Sequence, residues 1–160
     1  MRRRQDGCRC RAALAARAHA GQLTRVGEPL IDHIERVAST APADIRALAY
    51  LHEVLEKAPV GSEDLREHEL SEFEYAVLSL LTHDPSESYR RYVMRIATAG
   101  GDEGRIARSV KHADLDDHLR NRRSAFDSPN CRWARAQILA AQRLRFEAPP
   151  IQDAALGQVA

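Results

Sequence analysis

The sequence predicts an all-α domain of about seven or eight helices, and three observations lead to this fold class. Apolar residues recur at helical intervals, and no long alternation of β-branched and polar residues is present. Aromatic residues make up only 5% of the chain, so Ala, Leu, Val and Ile are expected to fill a core of closely packed helices. Glycines and prolines fall between the periodic segments, where they begin or end helices.

Helix start and stop signals define the first four elements. The first helix is expected to stop before Gly21, because glycine is a natural C-terminal cap. Pro29 and Pro42 open the next two helices, since proline is favoured in the first turn. The expected ranges are 9–20, 29–39 and 42–57, followed by a short helix that starts at Ser62.

The remaining four elements also have explicit signals. Ser71 is expected to accept hydrogen bonds from the first turn of a helix, as serine does at N-terminal caps. The Gly100-Gly101 pair is expected to separate two helices. The predicted elements are a helix over 71–82, a helix that starts at Ser86 or Ser88, a long helix over 102–121 and, after a turn near Ser128-Pro129, a final helix over 130–146.

The chain has room for one domain with a proper core, since 160 residues are few for two. We expect this domain to cover residues 11–147. Residues 1–10 are expected to form a flexible N-terminal arm rich in arginine. Residues 148–160 are expected to form a flexible C-terminal tail, because Pro149-Pro150 ends any helix there.

The composition of the chain limits the classes of binding partner and the cellular compartment that we expect for it. The formal net charge of +1 argues against strong binding to nucleic acid or to anionic membranes. No apolar run approaches the roughly 18 residues that would span a bilayer, and no apolar stretch typical of a signal peptide follows the first residues. Three cysteines, an odd number, suit a reducing compartment. A cytoplasmic protein is expected, and its exposed helix faces leave a homodimer open.

Polar residues occupy positions on predicted buried helix faces. His52 lies four residues after a leucine, Asp114 lies four residues after a valine, and His33 precedes an isoleucine on an apolar stripe. Each alone could be a hydrogen-bonded core residue or the partner of an arginine. Together with Glu53, which flanks His52, they could all be satisfied by one divalent ion. Two imidazoles and two carboxylates suit manganese, iron, zinc or magnesium.

Several sequence blocks resemble one family. Residues 49–59 read A-Y-L-H-E-V-L-E-K-A-P, which is similar to a family signature, A-x-L-H-D-V-V-E-D-T-P. Further matching blocks lie at 18–22, 27–38, 87–96 and 110–117. On these residues the chain resembles the HD-domain metal-dependent phosphohydrolases. The resemblance is to the hydrolase domain of bifunctional alarmone (ppGpp) synthetase–hydrolases and to their small single-domain relatives.

The resemblance implies an HD-domain helical bundle that binds one divalent metal ion, Mn²⁺. It also implies hydrolysis of a phosphate or pyrophosphate ester of a small nucleotide, a guanosine alarmone among the candidates, by a water that the metal activates. The residues implied by the match are His33, His52, Glu53 and Asp114 as metal ligands, Glu56 and Lys111 as catalytic residues, and Arg25 as a substrate-binding residue. Lys57 and His118 stand at site positions of the match and are also expected to bind the substrate.

The sequence departs from the family pattern at four positions of this site. Glu53 replaces the signature aspartate, and Lys57 replaces the second acid of the following pair. His118 stands in place of an asparagine, and Thr24 in place of an arginine that meets the base. A Lys57 that points inward would oppose metal binding. The alternative function is therefore a catalytically degenerate domain that binds a nucleotide or protein partner without hydrolysis.

Overall fold

The computed structural model describes residues 2–57, 70–121 and 129–147, and within these ranges the all-α prediction is confirmed. No strand occurs in them beyond an isolated bridge between Leu23 and Pro29. The short helix expected from Ser62, the turn residue Ser128 and the tail 148–160 lie outside the described residues. The helices are α1 (Arg2–Ala18), α2 (Leu30–Thr40), α3 (Arg46–Leu51), α4 (Val54–Lys57), α5 (Glu72–Leu81), α6 (Tyr89–Thr98), α7 (Gly101–Arg120) and α8 (Pro129–Glu147).

Helix α7 is the centre of the packing. It contacts α2, α5, α6 and α8, while α3 contacts α1, α2 and α5. Its buried residues Ile106, Val110 and Leu115 join one continuous core with residues of the surrounding helices. Helix α2 therefore packs against both α3 and α7, which brings polar residues of all three segments to one place. None of the helices within the described residues is both long and apolar enough to cross a membrane.

The first helix begins earlier than the sequence pattern indicates. It starts at Arg2 rather than near Arg9, so most of the segment assigned to the N-terminal arm is helical. The added segment begins with three arginines and a glutamine, which are good helix formers and favour this extension. The helix ends at Ala18, and Gly21 adopts a positive φ of 73° in the turn that follows.

The single helix predicted over 42–57 is wrong, because the structure divides it into α3 and α4. The division falls at His52 and Glu53, which form a turn. The Nδ1 atom of His52 lies 2.7 Å from the carbonyl oxygen of Ala49. In a continuous helix that carbonyl would accept the backbone N–H of Glu53. The imidazole takes this acceptor, and the backbone turns at the two residues that were predicted to bind metal.

Ser71 caps the N-terminus of α5, as the sequence predicts, and Glu74 ties the same turn to α1. Ser71 and Glu74 form a reciprocal capping box, in which each side chain accepts from the backbone N–H of the other residue. The Glu74 carboxylate also accepts two hydrogen bonds, of 3.0 and 2.9 Å, from Arg11 on α1. Burial raises the pKa of Glu74, but Arg11 and Ser71 outweigh it, and the net pKa is lowered.

A tight corner joins α6 to α7. A Cβ atom added at Gly104 would lie 2.2 Å from the carbonyl oxygen of Ala99, so only glycine fits there. The same carbonyl accepts a 2.6 Å hydrogen bond from the buried Arg108, which also reaches the carbonyl oxygens of Ile96 and Ala97. Arg108 therefore caps the end of α6 and fixes the direction in which α7 leaves it.

We expect Gly104→Ala to lower the free energy of unfolding by about 2 kcal/mol or more, because the clash is with backbone that cannot rotate away. Gly7→Ala is the matched control. A Cβ atom at that helical position meets nothing within 4 Å, so we expect stability to be unchanged or to rise by up to about 1 kcal/mol. Urea unfolding followed by circular dichroism measures both. Equal effects of the two substitutions would contradict the close approach at Gly104.

We expect Glu74→Gln to destabilise the protein by roughly 1–2 kcal/mol at neutral pH, because it weakens the capping box and the bond to Arg11. The pKa of Glu74 is lower in the folded chain than its ordinary value of 4.5. Its stabilising contribution is therefore present above pH 4.5 and is lost as the pH falls below that value. Unfolding measured between pH 7 and pH 3 should show the two proteins converging. Glu72→Gln, in the same turn, should show little difference from wild type at any pH.

Candidate metal centre

Three residues from three segments bring ligand atoms together. His33 lies on α2, His52 lies in the turn after α3, and Asp114 lies on α7. Their candidate ligand atoms all lie within 4.8 Å of one another, and all three residues are buried. The Oδ1 atom of Asp114 is 3.3 Å from Nε2 of His33 and 3.9 Å from Nε2 of His52. This group could hold a metal ion.

Glu53 and His118 border this group. The Oε1 atom of Glu53 is 4.0 Å from Nε2 of His33 and 3.8 Å from Nε2 of His52. The Nε2 atom of His118 is 3.1 Å from Oδ1 of Asp114, and its ring stacks on that of His33 at 4.8 Å. Two atoms bound about 2.1 Å from one ion are separated by about 3.0 Å at a right angle and about 4.2 Å when opposite. These atom pairs fall within that range.

Both buried histidines are oriented by a hydrogen bond at Nδ1, the ring nitrogen that faces away from the shared space. The Nδ1 atom of His52 is bonded to the carbonyl oxygen of Ala49, and Nδ1 of His33 is 2.8 Å from Oδ2 of Asp117. Both partners are acceptors, so each Nδ1 carries the proton. In the neutral imidazole, Nε2 then presents a lone pair to the shared space. Metal-ligating histidines are commonly held in this way.

The convergence leaves buried atoms without hydrogen bonds. Among the described residues, Nε2 of His33, Nε2 of His52 and Oδ1 of Asp114 are buried and have no hydrogen-bond partner. Buried polar atoms normally have one, because losing water without compensation costs about 1–3 kcal/mol each. When both imidazoles are neutral, all three atoms present lone pairs, so they cannot satisfy one another unless a proton or a metal cation lies between them. The donor set therefore fits a divalent metal ion.

The charges in the centre shift its pKa values strongly. Burial opposes a charge on His33, but Asp114 and Asp117 raise its pKa to about 9. Burial lowers the pKa of His52, and the nearby carboxylates of Glu53 and Asp114 only partly oppose this. Burial would raise the pKa of Asp114, but Lys111 and His118 hold it well below the usual range. Without a metal, a proton on His33 supplies positive charge, and a divalent ion would displace that proton.

A carboxylate network supports His33 and reaches the edge of the cleft. Asp117 accepts hydrogen bonds of 2.7 and 3.0 Å from Arg36. The Arg36 guanidinium also binds both carboxylate oxygens of Glu28, which accepts a further bond from Asn121. Burial would raise the pKa of Asp117, but His33 and Arg36 lower it to about 2. A charged Asp117 therefore holds His33 at neutral pH.

Two lysines bind the outer oxygens of the two carboxylates. The Nζ atom of Lys111 is 2.8 Å from Oδ2 of Asp114, and Nζ of Lys57 is 2.9 Å from Oε2 of Glu53. Lys111 also lies 5.1 Å from the centre of the Tyr92 ring. Asp114 counteracts the burial of Lys111 and raises the pKa of its ammonium well above the ordinary value. Each carboxylate thus has one oxygen held by a lysine and one directed to the histidines.

One cleft of about 480 Å³ contains all nine residues that the sequence singled out. Besides the buried group, Glu56 and Arg25 are exposed side chains of its wall. The backbone N–H of His83 donates a 3.0 Å hydrogen bond to Oε2 of Glu56, which fixes that carboxylate. The nine residues are Arg25, His33, His52, Glu53, Glu56, Lys57, Lys111, Asp114 and His118.

Three further parts of the cleft carry no clear signal in the sequence. His83 contacts the rings of Tyr89 and Tyr92, and its Nε2 atom is 2.8 Å from the carbonyl oxygen of Glu87. The hydroxyl of Tyr92 donates to the carbonyl oxygen of Leu81, which ties this wall to α5. The exposed Leu23 and Val26, on the loop between α1 and α2, also line the cleft. These residues come together through tertiary packing rather than through any periodic spacing.

No protein-family model matches the chain, and no curated protein matches it.

We expect Asp117→Ala to weaken binding of Mn²⁺ by about 10–100-fold, because His33 loses the carboxylate that orients it. Asp116→Ala is the matched control, since the neighbouring acid binds Arg120 and Arg135 instead of the centre. Electron paramagnetic resonance of free Mn²⁺ during a titration measures the affinity, and thermal unfolding checks that both variants fold. Equal affinities in the two variants would contradict the supporting role of Asp117.

Proposed function

We propose that this chain is a metal-dependent phosphohydrolase that acts on a phosphate or pyrophosphate ester of a nucleotide. The observation that supports this most strongly is the set of buried lone pairs on His33, His52 and Asp114, which have no hydrogen-bond partner among the described residues. Glu53 adds a fourth ligand beside them. Such a mixed nitrogen and oxygen set suits a divalent transition metal, and Mn²⁺ is the ion that the sequence resemblance favours.

A divalent ion held here would act as a Lewis acid toward phosphoryl oxygens and would lower the pKa of a water. The protein residues have separate tasks. Glu56, fixed by the backbone of His83, accepts the proton of the attacking water. Lys111 keeps Asp114 ionised and directs its Oδ1 atom inward. Arg25 and His118, on the wall of the same cleft, offset the negative charge that develops on the phosphoryl group.

The cleft suits a small phosphorylated molecule. Its volume of about 480 Å³ lies within the range of roughly 300–1,000 Å³ that small-molecule sites occupy. Cationic side chains and the candidate metal ligands line the cleft together with the apolar or aromatic residues Leu23, Val26 and Tyr89. Such a mixed lining suits a ligand that has both an anionic group and an aromatic ring. A nucleotide, with a guanosine alarmone as the first candidate, is favoured by the sequence resemblance.

The second candidate function is a degenerate domain that binds a nucleotide or a protein without hydrolysis. The observation that favours it is the contact between Lys57 and Glu53, because an ammonium group 2.9 Å from a candidate ligand opposes a metal cation. Both functions use the same cleft. Metal content and turnover separate them.

We expect protein purified without chelator to bind about one equivalent of metal and to release phosphate or pyrophosphate from at least one member of a nucleotide panel with added Mn²⁺. The panel includes guanosine alarmones. His52→Ala and Asp114→Ala should each reduce turnover by about 100-fold or more, because each removes a buried ligand. His112→Ala is the matched control. His112 is a half-buried histidine on α7 that lies near Asp116 instead of the centre.

The two functions give different results in this experiment. Metal binding and turnover that are lost together in the two ligand variants support the hydrolase. Absence of both in wild type, with both restored by the double variant Glu53→Asp, Lys57→Asp, supports the degenerate domain. Turnover that survives the loss of His52 and Asp114 would refute the proposed site.

A further inference from the structure

The lysines of this chain are concentrated in the cleft. Lys57 and Lys111 are the only lysines in the sequence, and all other basic side chains that carry a permanent charge are arginines. Each lysine binds one carboxylate of the candidate metal centre, Lys57 on Glu53 and Lys111 on Asp114. An ammonium group is a compact point charge, whereas a guanidinium spreads its charge over a planar fork. The two lysines therefore place single positive charges directly beside the two acidic ligands.

Both the side chain and the backbone of Lys57 are held in this position. Lys57 follows Glu53 by four residues, so both side chains lie on one side of the turn of helix α4. The backbone carbonyl of Lys57 accepts a 2.8 Å hydrogen bond from Gln22. The side chain of Gln22 is held in turn by the buried His19, at 2.9 Å. The lysine is thus anchored by the first loop as well as by its own helix.

The contact with Lys57 limits what Glu53 can offer to a metal. Oε2 of Glu53 lies 2.9 Å from the ammonium, while Oε1 faces the two imidazoles at 4.0 and 3.8 Å. A carboxylate held in this way has one oxygen left for an ion and is hindered from binding with both. The side chain of Lys57 is 43% exposed and that of Glu53 is 12% exposed. The Lys57 side chain is therefore the more solvent-exposed partner of the pair, on the surface of the cleft.

The charges of the four side chains cancel. Glu53 and Asp114 contribute two negative charges, and Lys57 and Lys111 contribute two positive charges, so a divalent ion with neutral histidines leaves the centre with a net charge of about +2. Without Lys57 the net charge would be about +1. The more positive centre, with Lys57, holds a cation less tightly and attracts a dianion more strongly than a centre without the lysine.

We propose that Lys57 is a positioning residue that limits Glu53 to a single-oxygen contact and makes the centre bind its metal loosely and a phosphate dianion tightly. The ammonium group faces both the metal ligand and the entering anion. This inference rests on the proposed function, because it takes the group of His33, His52, Glu53 and Asp114 as a metal centre. It adds a determinant of the balance between metal and anion, which the ligand set alone does not supply.

The test compares Lys57→Met with wild type. Methionine keeps a similar length and helix propensity but removes the charge. Lys57→Arg keeps the charge, and Arg105→Met removes one charge from an exposed residue that pairs with Asp102 on α7. Titration of Mn²⁺ followed by electron paramagnetic resonance gives the metal affinity. Calorimetric titration of the Mn²⁺-saturated proteins with inorganic phosphate gives the anion affinity, and neither measurement depends on turnover.

We expect Lys57→Met to bind Mn²⁺ about tenfold more tightly than wild type and to bind phosphate about tenfold more weakly. By Coulomb's law, one unit charge roughly 5 Å from a divalent ion changes its affinity by about this factor even at the dielectric constant of water. Lys57→Arg and Arg105→Met should stay within about threefold of wild type for both ligands. The opposite signs of the two effects distinguish this role from a general structural one.

The possible outcomes separate this inference from the proposed function. If Lys57→Met binds Mn²⁺ as tightly as wild type or more weakly, the proposed role of Lys57 is wrong. The metal centre itself is still supported in that case, because wild type binds the ion. A wild type with no measurable Mn²⁺ binding and a Lys57→Met variant that binds it would support the role of Lys57 and weaken the case for a working enzyme. Binding in neither protein would overturn both.

Discussion

The arrangement of the helices around the cleft is constrained by several lone pairs that are buried together between α2, α7 and the turn after α3. His33, His52, Glu53 and Asp114 direct acceptor atoms into a shared space, and three of those atoms have no hydrogen bond within the described residues. Burying uncompensated polar atoms is expensive for a protein whose total stability is only about 5–15 kcal/mol. A positive charge at their centre removes most of that cost. A proton on His33 can supply it in part, and a divalent metal ion could satisfy His33, His52 and Asp114 together.

The surrounding helices hold the acceptor atoms of the candidate metal centre in place. Helix α7 carries Asp114 through the middle of the core, and α2 carries His33 against it. The turn between α3 and α4 gives His52 and Glu53 a position that a continuous helix would not allow. Asp117 fixes His33 from behind, and its bond to Arg36 extends the support to the loop at the cleft. The preorganisation of the centre is therefore distributed over elements far apart in sequence.

Much of the fold and the identity of the central residues could be predicted from the sequence, because both follow from local rules. The spacing of apolar residues and the caps Ser71 and Ser88 indicate helices, and a histidine on an apolar stripe is conspicuous. The break at His52 could not be predicted, since it depends on a side chain that competes with the backbone for one carbonyl. The contact of Lys57 with Glu53 also needed the structure. Spacing of four residues permits such a pair, but only the turn directs it to the centre.

Anomalous scattering from a crystal soaked in Mn²⁺ shows most directly whether one ion binds between these side chains. We expect a single strong peak about 2 Å from Nε2 of His33, Nε2 of His52 and Oδ1 of Asp114. The same peak should disappear in crystals of Asp114→Ala. A crystal in which the three atoms keep their positions and no peak lies between them would rule out this metal site, as would a peak bound only by surface carboxylates elsewhere.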